Sequence, residues 1–290
     1  MVVCAKRLWS LLSSRQGQEN PTAEGESKMK RIVALLTLAA AVCLSTTPAL
    51  RADITTENTN FIEKVYQDLL QRPASTLEIA SGLSALGSET RFQFALSIDT
   101  SNEYYQLLAG SYVQDLLGRP ATPTDISVFT ALLSSNSDEF VQAQIAGSAE
   151  FFLKSGSSDA GFVTALFKDF LNRTPSSSEV AFWVGALGTM SREQVAALIL
   201  GTLEYDSDLV KSYYLQFLQR PADSTGLNFF ANALNGGTLT DEQVIASLIG
   251  TDEYFNLAQP GAAQTPEPRT VALLGLGLAT FILLRRQLAG

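Results

Sequence analysis

Tyr66-Gln67-Asp68-Leu69-Leu70-Gln71-Arg72-Pro73 decides how this chain is read, because the string returns three more times. It recurs as Val113-Gln114-Asp115-Leu116-Leu117-Gly118-Arg119-Pro120 and as Phe167-Lys168-Asp169-Phe170-Leu171-Asn172-Arg173-Thr174-Pro175. Tyr214-Leu215-Gln216-Phe217-Leu218-Gln219-Arg220-Pro221 is the fourth copy. A second string follows each arginine: Asn102-Glu103-Tyr104, Ala149-Glu150-Phe151, Leu203-Glu204-Tyr205 and Asp252-Glu253-Tyr254. The offset from arginine to glutamate is 31 in the first three units and 33 in the fourth. A period of about 50 residues marks four copies of one supersecondary unit.

Inside a unit the apolar residues have helical spacing. Phe61, Val65, Leu69 and Leu70 predict an amphipathic helix over 60–71, stopped by Pro73. Ser75 and Thr76 are placed to cap a second helix with Glu78 in its first turn. In the third unit Ser178 precedes Val180, Phe182, Trp183 and Ala186, Gly188 ends that helix, and another begins near Ser191. The Glu-Tyr string then opens a last short helix. Alternating β-branched runs are scarce, so the expected class is all-α. The arginines lie 47, 54 and 47 residues apart, and the longer interval contains Ser155-Gly156-Ser157-Ser158-Asp159-Ala160, a linker by composition. Two paired modules are therefore expected, 53–154 and 161–257, joined by a linker at 155–160 and followed by another at 258–265.

The ends carry different signals. Met29-Lys30-Arg31, the apolar run Ile32 to Leu44 and the small-residue stretch to Ala52 have the layout of a secretory signal peptide over 29–52, cleaved after Ala49 or Ala52. Residues 1–28 are expected to be a non-native extension, with Met29 the true start. The chain's two cysteines, Cys4 and Cys43, both precede that cleavage point. The exported body would then have no disulfide and no thiolate site. Between Asp53 and Thr265 there are 25 acidic and 10 basic residues, a net charge of about −15. Such a surface repels nucleic acid and anionic lipid and suits cationic or neutral partners.

At the other end, Thr265-Pro266-Glu267-Pro268 precedes an apolar run from Val271 to Leu284 and then Arg285-Arg286. The prolines keep the peptide extended, the run is short for a bilayer span, and the arginines favour the cytoplasmic side. Pro266, Glu267, Pro268, Arg285 and Arg286 together resemble the PEP-CTERM sorting signal of Gram-negative bacteria, over 266–290. The resemblance implies recognition by an exosortase-type processing enzyme, transient insertion in the inner membrane, and delivery to the cell surface or an exopolysaccharide-rich matrix. An ordinary C-terminal membrane anchor is the alternative.

The repeats resemble the bacterial family called domain of unknown function 4214, whose motif runs Tyr-x-x-Leu-Leu-x-Arg-x-Pro-Asp-x-x-Gly-x-x-x-Trp. The fourth unit fits best, with Tyr214, Arg220, Asp223, Gly226 and Phe229-Phe230. The third keeps Arg173 and Trp183 but has Ser176 and Glu179 in place of Asp and Gly, and the first two carry Ser75, Glu78, Thr122 and Asp125 there. The family is similar to phycobilisome linker domains and is often exported, which implies a module and a location, not a reaction.

The chain has no histidine, which removes the commonest general base, the commonest metal ligand and every Ser-His or Cys-His pair. Carboxylate-only chemistry survives, as in glycoside hydrolysis. Glu103, Glu150, Glu204 and Glu253 are its nominal candidates, but four equivalent positions suit one asymmetric acid and base poorly. Arg72, Arg119, Arg173 and Arg220, with Tyr66, read as structural: each arginine follows a helix end and lies within reach of its unit's glutamate. Of each aromatic pair, at most one ring is expected free for sugar stacking. Asp223, Thr225, Asp206 and Asp208 suggest calcium, yet no EF-hand or nonapeptide spacing is present, and no cofactor is expected. The expected function is a non-catalytic binding or scaffold protein of the surface or matrix, holding an exopolysaccharide or another surface protein, with no nucleic acid. The alternative is a carboxylate-type carbohydrate-active enzyme or an accessory module of one.

Overall fold

The computed structural model describes residues 54–261, and the signal-peptide, sorting-signal and 1–28 expectations fall outside them. The described residues form fourteen helices and no strand. They run α1 (54–70), α2 (Thr76–Ala85), α3 (Arg91–Asp99), α4 (Asn102–Leu117), α5 (Pro123–Leu133), α6 (Asp138–Gly147) and α7 (Ala149–Lys154). A second set of seven repeats that order: α8 (Asp159–Leu171), α9 (Ser177–Ala186), α10 (Arg192–Leu200), α11 (Leu203–Leu218), α12 (Ser224–Asn235), α13 (Asp241–Ile249) and α14 (Asp252–Leu257). Among them no helix is long and apolar enough to cross a membrane.

Helix starts are written locally. Each helix from α2 to α14 begins at a Ser, Thr or Asp whose side chain accepts a first-turn N–H. Such caps contribute about 1 kcal/mol each. In the third unit the cap is Ser176, not Ser178.

The Glu-Tyr string opens a short helix only in the second and fourth units. In the first and third it opens the 16-residue helices α4 and α11, which run on without a break into the next arginine string. Continuity explains the 47-residue spacing. The 54-residue interval instead holds a turn that ends α7: the Gly156 N–H donates to the Leu153 carbonyl at 3.1 Å and the Ser157 N–H to the Phe152 carbonyl at 3.0 Å. Gly156 and Ser157 take φ of 92° and 54°, and Ser158 caps α8. A segment whose composition reads as a flexible linker is thus a hydrogen-bonded helix terminus.

The apolar residues do not divide at that turn. One core joins the second and third units, with Val113, Val141, Phe151, Phe162, Leu166 and Ile199 at its centre. The other joins the first and fourth, with Phe61, Val65, Phe94, Phe217, Ile249 and Tyr254. The expected pairing, first with second and third with fourth, describes the chain order and not the packing. The reason is the length of α4 and α11, about 24 Å at 1.5 Å per residue. Tyr104 at the start of α4 lies in one core, and Val113 and Leu116 nearer its end lie in the other. In α11, Tyr205 and Phe217 make the reverse crossing. The halves interlock further where α3 packs on α13 and α10 on α6. A glycine stands at each crossing, required at Gly147 and tightly packed at Gly250. A Cβ on Gly147 would lie 2.8 Å from the Glu193 nitrogen, and one on Gly250 would lie 3.1 Å from the Phe92 nitrogen.

Candidate functional site

The four recurring arginines form one device. Gln71, Gly118, Asn172 and Gln219, immediately before them, all adopt left-handed backbone with φ between 52° and 70°. That turn ends the helix and swings the following arginine back. Arg72 then grips Glu103 through Nε and Nη2, at 2.5 and 2.8 Å. Its two Nη atoms donate to Glu78 at 3.0 and 2.8 Å. Its guanidinium also stands 5.3 Å from the Tyr66 ring centre. Arg173 repeats the arrangement with Glu204, Glu179 and Phe167, and Arg119 repeats it with Glu150 and Asp125. Each clamp ties one helix C-terminus to the first turns of two later helices, and a planar five-donor group is suited to that role.

The second carboxylate was not anticipated as an arginine partner, although its sequence signal existed: an acid six residues after each of the first three arginines. It also explains the departure from the Asp-x-x-Gly pattern. In the first three units Ser75, Thr122 and Ser176 cap the helix, and Glu78, Asp125 and Glu179 close the capping box while holding the arginine. In the fourth unit Asp223 is itself the cap and lies 3.7 Å from Arg220. Gly226 at the box position leaves room for the Tyr214 hydroxyl, which a Cβ there would strike. The carboxylate here sits three positions earlier, where it caps the helix and lies near Arg220 without bonding it. The pairing holds Glu78, Asp125 and Glu179 down to a pKa of about 2, with the arginine bonds the main cause.

The aromatic pairs follow the expected division. Tyr104, Phe151, Tyr205 and Tyr254 are core. Phe182 and Phe229, at matching places on α9 and α12, are 68% and 63% exposed. Each packs edge-on against its half-buried neighbour, Trp183 or Phe230, at 5.1 Å. The acids named for calcium have other partners: Asp206 accepts from Asn235 at 3.0 Å, Asp208 pairs with Lys211 at 2.8 Å, and Asp223 caps α12.

Sequence reading missed a cleft of about 880 Å³ between the matching helix ends of the two halves. The starts of α6 and α13 bring in Asp138-Glu139 and Asp241-Glu242, and α11 adds Asp206. The paired walls match: Leu96 and Ala197, Leu133 and Leu234, Tyr105 and Asp206 are equivalent positions of the two halves. Burial pushes Asp138 up to about 7 even though Tyr112 donates to it at 2.6 Å, and it pushes Asp206 up to about 6. Asp241 is raised well above the carboxylate range, by burial first and then by Glu139 and Asp138. Behind the wall, Asp99 is fully buried, has neither oxygen bonded, and is raised to about 9. The only sequence signal was an Asp-Glu pair after a Ser or Thr cap in the two even-numbered units, where the odd ones have Arg91 and Arg192.

Two family models match the chain. The repeats match one over residues 142–207 and again over 200–258. That model describes the domain of unknown function DUF4214. Residues 264–287 match the PEP-CTERM protein-sorting motif. No curated protein and no solved structure matches the chain. The sorting motif marks an exported protein handled by an exosortase. The DUF4214 matches run from within α6 of the second unit to the end of the fourth, and the clamps of Arg72 and Arg119 show the same construction in the first two.

Proposed function

We propose that this chain is a surface or matrix protein whose helical repeats bind or scaffold without turning over a substrate. The observation that carries the reading is the repetition of the exposed rings. Phe182 and Phe229 stand at equivalent sites on α9 and α12, each packed edge-on against a neighbouring ring, which makes two like platforms. Flat exposed rings stack on sugar faces, and two of them favour a repeating polymer through effective concentration. A neutral polysaccharide fits best, since the body is acidic and would repel an anionic one. The recurring charges of the repeat do not compete for this role, because the clamp uses them. Carboxylate catalysis is less well supported. It needs one asymmetric acid and base, whereas the recurring glutamates Glu103, Glu150, Glu204 and Glu253 stand at equivalent positions and are each engaged by an arginine.

The test is a glycan array probed with the protein and with Phe182→Ala/Phe229→Ala. Binding to neutral glycans that falls at least about tenfold in the double variant supports the reading. Equal binding by the double variant, or release of new reducing ends from a bound glycan, overturns it. Mass spectrometry of the C-terminus in fractionated cells tests delivery: a chain ending beyond Arg286 refutes exosortase processing.

A further inference from the structure

The two halves meet acid against acid. α6 begins with Asp138-Glu139 and α13 with Asp241-Glu242, and no lysine or arginine lines the cleft beside them. Asp241 is hydrogen-bonded to Glu139 of the other half and lies near Asp138. Ionised carboxylates only accept hydrogen bonds, so this one exists only while one of the pair carries a proton. Asp138 and Asp241 are buried, and so are Asp99 and Asp206 next to them. These aspartates are four of the six buried polar residues in the described body, so this one seam closes only if it is largely uncharged.

The charged groups on the surrounding helices are engaged elsewhere. On α3 Arg91 pairs with Asp252, on α10 Arg192 stands 4.3 Å from the Phe152 ring centre, and on α11 Lys211 pairs with Asp208. Helices α4, α5 and α12 contain no lysine or arginine, and their acids Glu103 and Asp125, like Glu204 of α11, belong to the clamps. What faces the seam is phenolic: Tyr112 donates to Asp138 at 2.6 Å, Tyr105 stands by Glu242, and Tyr104, Tyr205 and Tyr213 lie near the aspartates. The geometry also says which ends can move. α6 and α13 are pinned at their far ends, where Gly147 lies against Glu193 and Gly250 against Phe92. Their acidic ends follow the loops 134–137 and 236–240, the second with Gly237 at φ 64°, and the cleft brings solvent to their side. We propose that the seam is a proton-held latch: protonated, it keeps the first turns of α6 and α13 together, and when its protons pass to solvent those turns part while both apolar cores stay closed. The exposed rings have no part in it, so its failure and that of the glycan reading are independent.

Burial raises Asp138 to about 7 and Asp241 well above the carboxylate range. Both values exceed that of a solvated carboxyl, so the closed form is favoured fully in acid and loses that advantage as pH rises through the raised values. Between pH 6 and pH 9 Asp138 alone shifts the balance about tenfold toward the open form. The test is hydrogen exchange of the full chain in non-ionic detergent, read by mass spectrometry at pH 6 and pH 9 and corrected for the intrinsic effect of pH. Protection over 139–144 and 242–247 should fall at least about tenfold at pH 9, and peptides around the core residues Val113 and Leu166 should change by under about threefold. Asp138→Asn/Asp241→Asn, of the same shape but unable to ionise, should hold seam protection within about threefold over that range. Asp241→Asn alone leaves the Tyr112 bond in place and should remove most of the fall, which keeps the test open if the double variant loses its helical circular dichroism. No fall in the unmodified chain, an equal fall in the variants, or an equal fall throughout the body would each overturn the latch.

Discussion

Asp99 offers the sharpest test of the packing. It is fully buried at the end of α3, neither oxygen is bonded, and its equivalent in the second half is the buried Leu200. Desolvation, then Glu242 and Asp138, raise its pKa from 3.8 to about 9. Because the folded value lies above the unfolded one, Asp99 favours the folded state fully below about pH 4 and loses that contribution as pH rises toward 9. At pH 7 about three pH units separate the solution from the unfolded value, at about 1.4 kcal/mol each. Asp99→Asn, of the same shape and uncharged, is therefore expected to raise the unfolding free energy by ~2–4 kcal/mol at pH 7 and by under ~0.5 kcal/mol at pH 4. Urea titrations followed by far-ultraviolet circular dichroism at the two pH values measure both. A gain that does not change with pH, or a loss at pH 7, would refute the claim that a protonated, unpartnered Asp99 sits in the core.

The whole body should be most stable near pH 4: below it the carboxylates of the clamps, held near 2, lose their pairing, and above it the buried acids stay protonated in the folded chain while they ionise in the unfolded one. Melting temperatures from pH 3 to 9 should peak near pH 4 and fall above it, and a plateau through pH 8 would contradict it. Arg72→Ala should cost about 1–2 kcal/mol and Arg220→Ala less, since Arg220 holds its second carboxylate only at 3.7 Å; Arg72→Lys should recover little. Equal losses in denaturant titrations would count against the two-acid clamp. Gly226→Ala should destabilise by about 1–3 kcal/mol and be largely rescued by Tyr214→Phe, which removes the obstructing hydroxyl. Gln71→Gly and Gln219→Gly should each stabilise by up to about 1 kcal/mol, because both positions are left-handed, and a drop in melting temperature would contradict that reading.

Much of the architecture was legible because it is local. Capping residues, the proline after each arginine and the apolar spacing of Phe61, Val65 and Leu69 act within one or two turns, so four helical units follow from chain order, although α4 and α11 run across the junctions between them. The fixed 31-residue interval even gave the main arginine partner, since it is conserved within the chain by geometry. Glu78 was read only as a first-turn acid, because one side chain's place in a capping box does not reveal a guanidinium returning from the turn before it.

Sequence by itself determined the all-α repeat and the sorting motif, and it set each glutamate within reach of its arginine. Tertiary structure alone decided which units share a core, and so decided the cleft. An apolar helix face records that it must be buried, not against what, because dispersion and the hydrophobic effect have no direction. Only the unbroken lengths of α4 and α11 carry each half into the other's core. That exchange sets Asp138-Glu139 against Asp241-Glu242, two acidic helix starts that lie 103 residues apart in the chain.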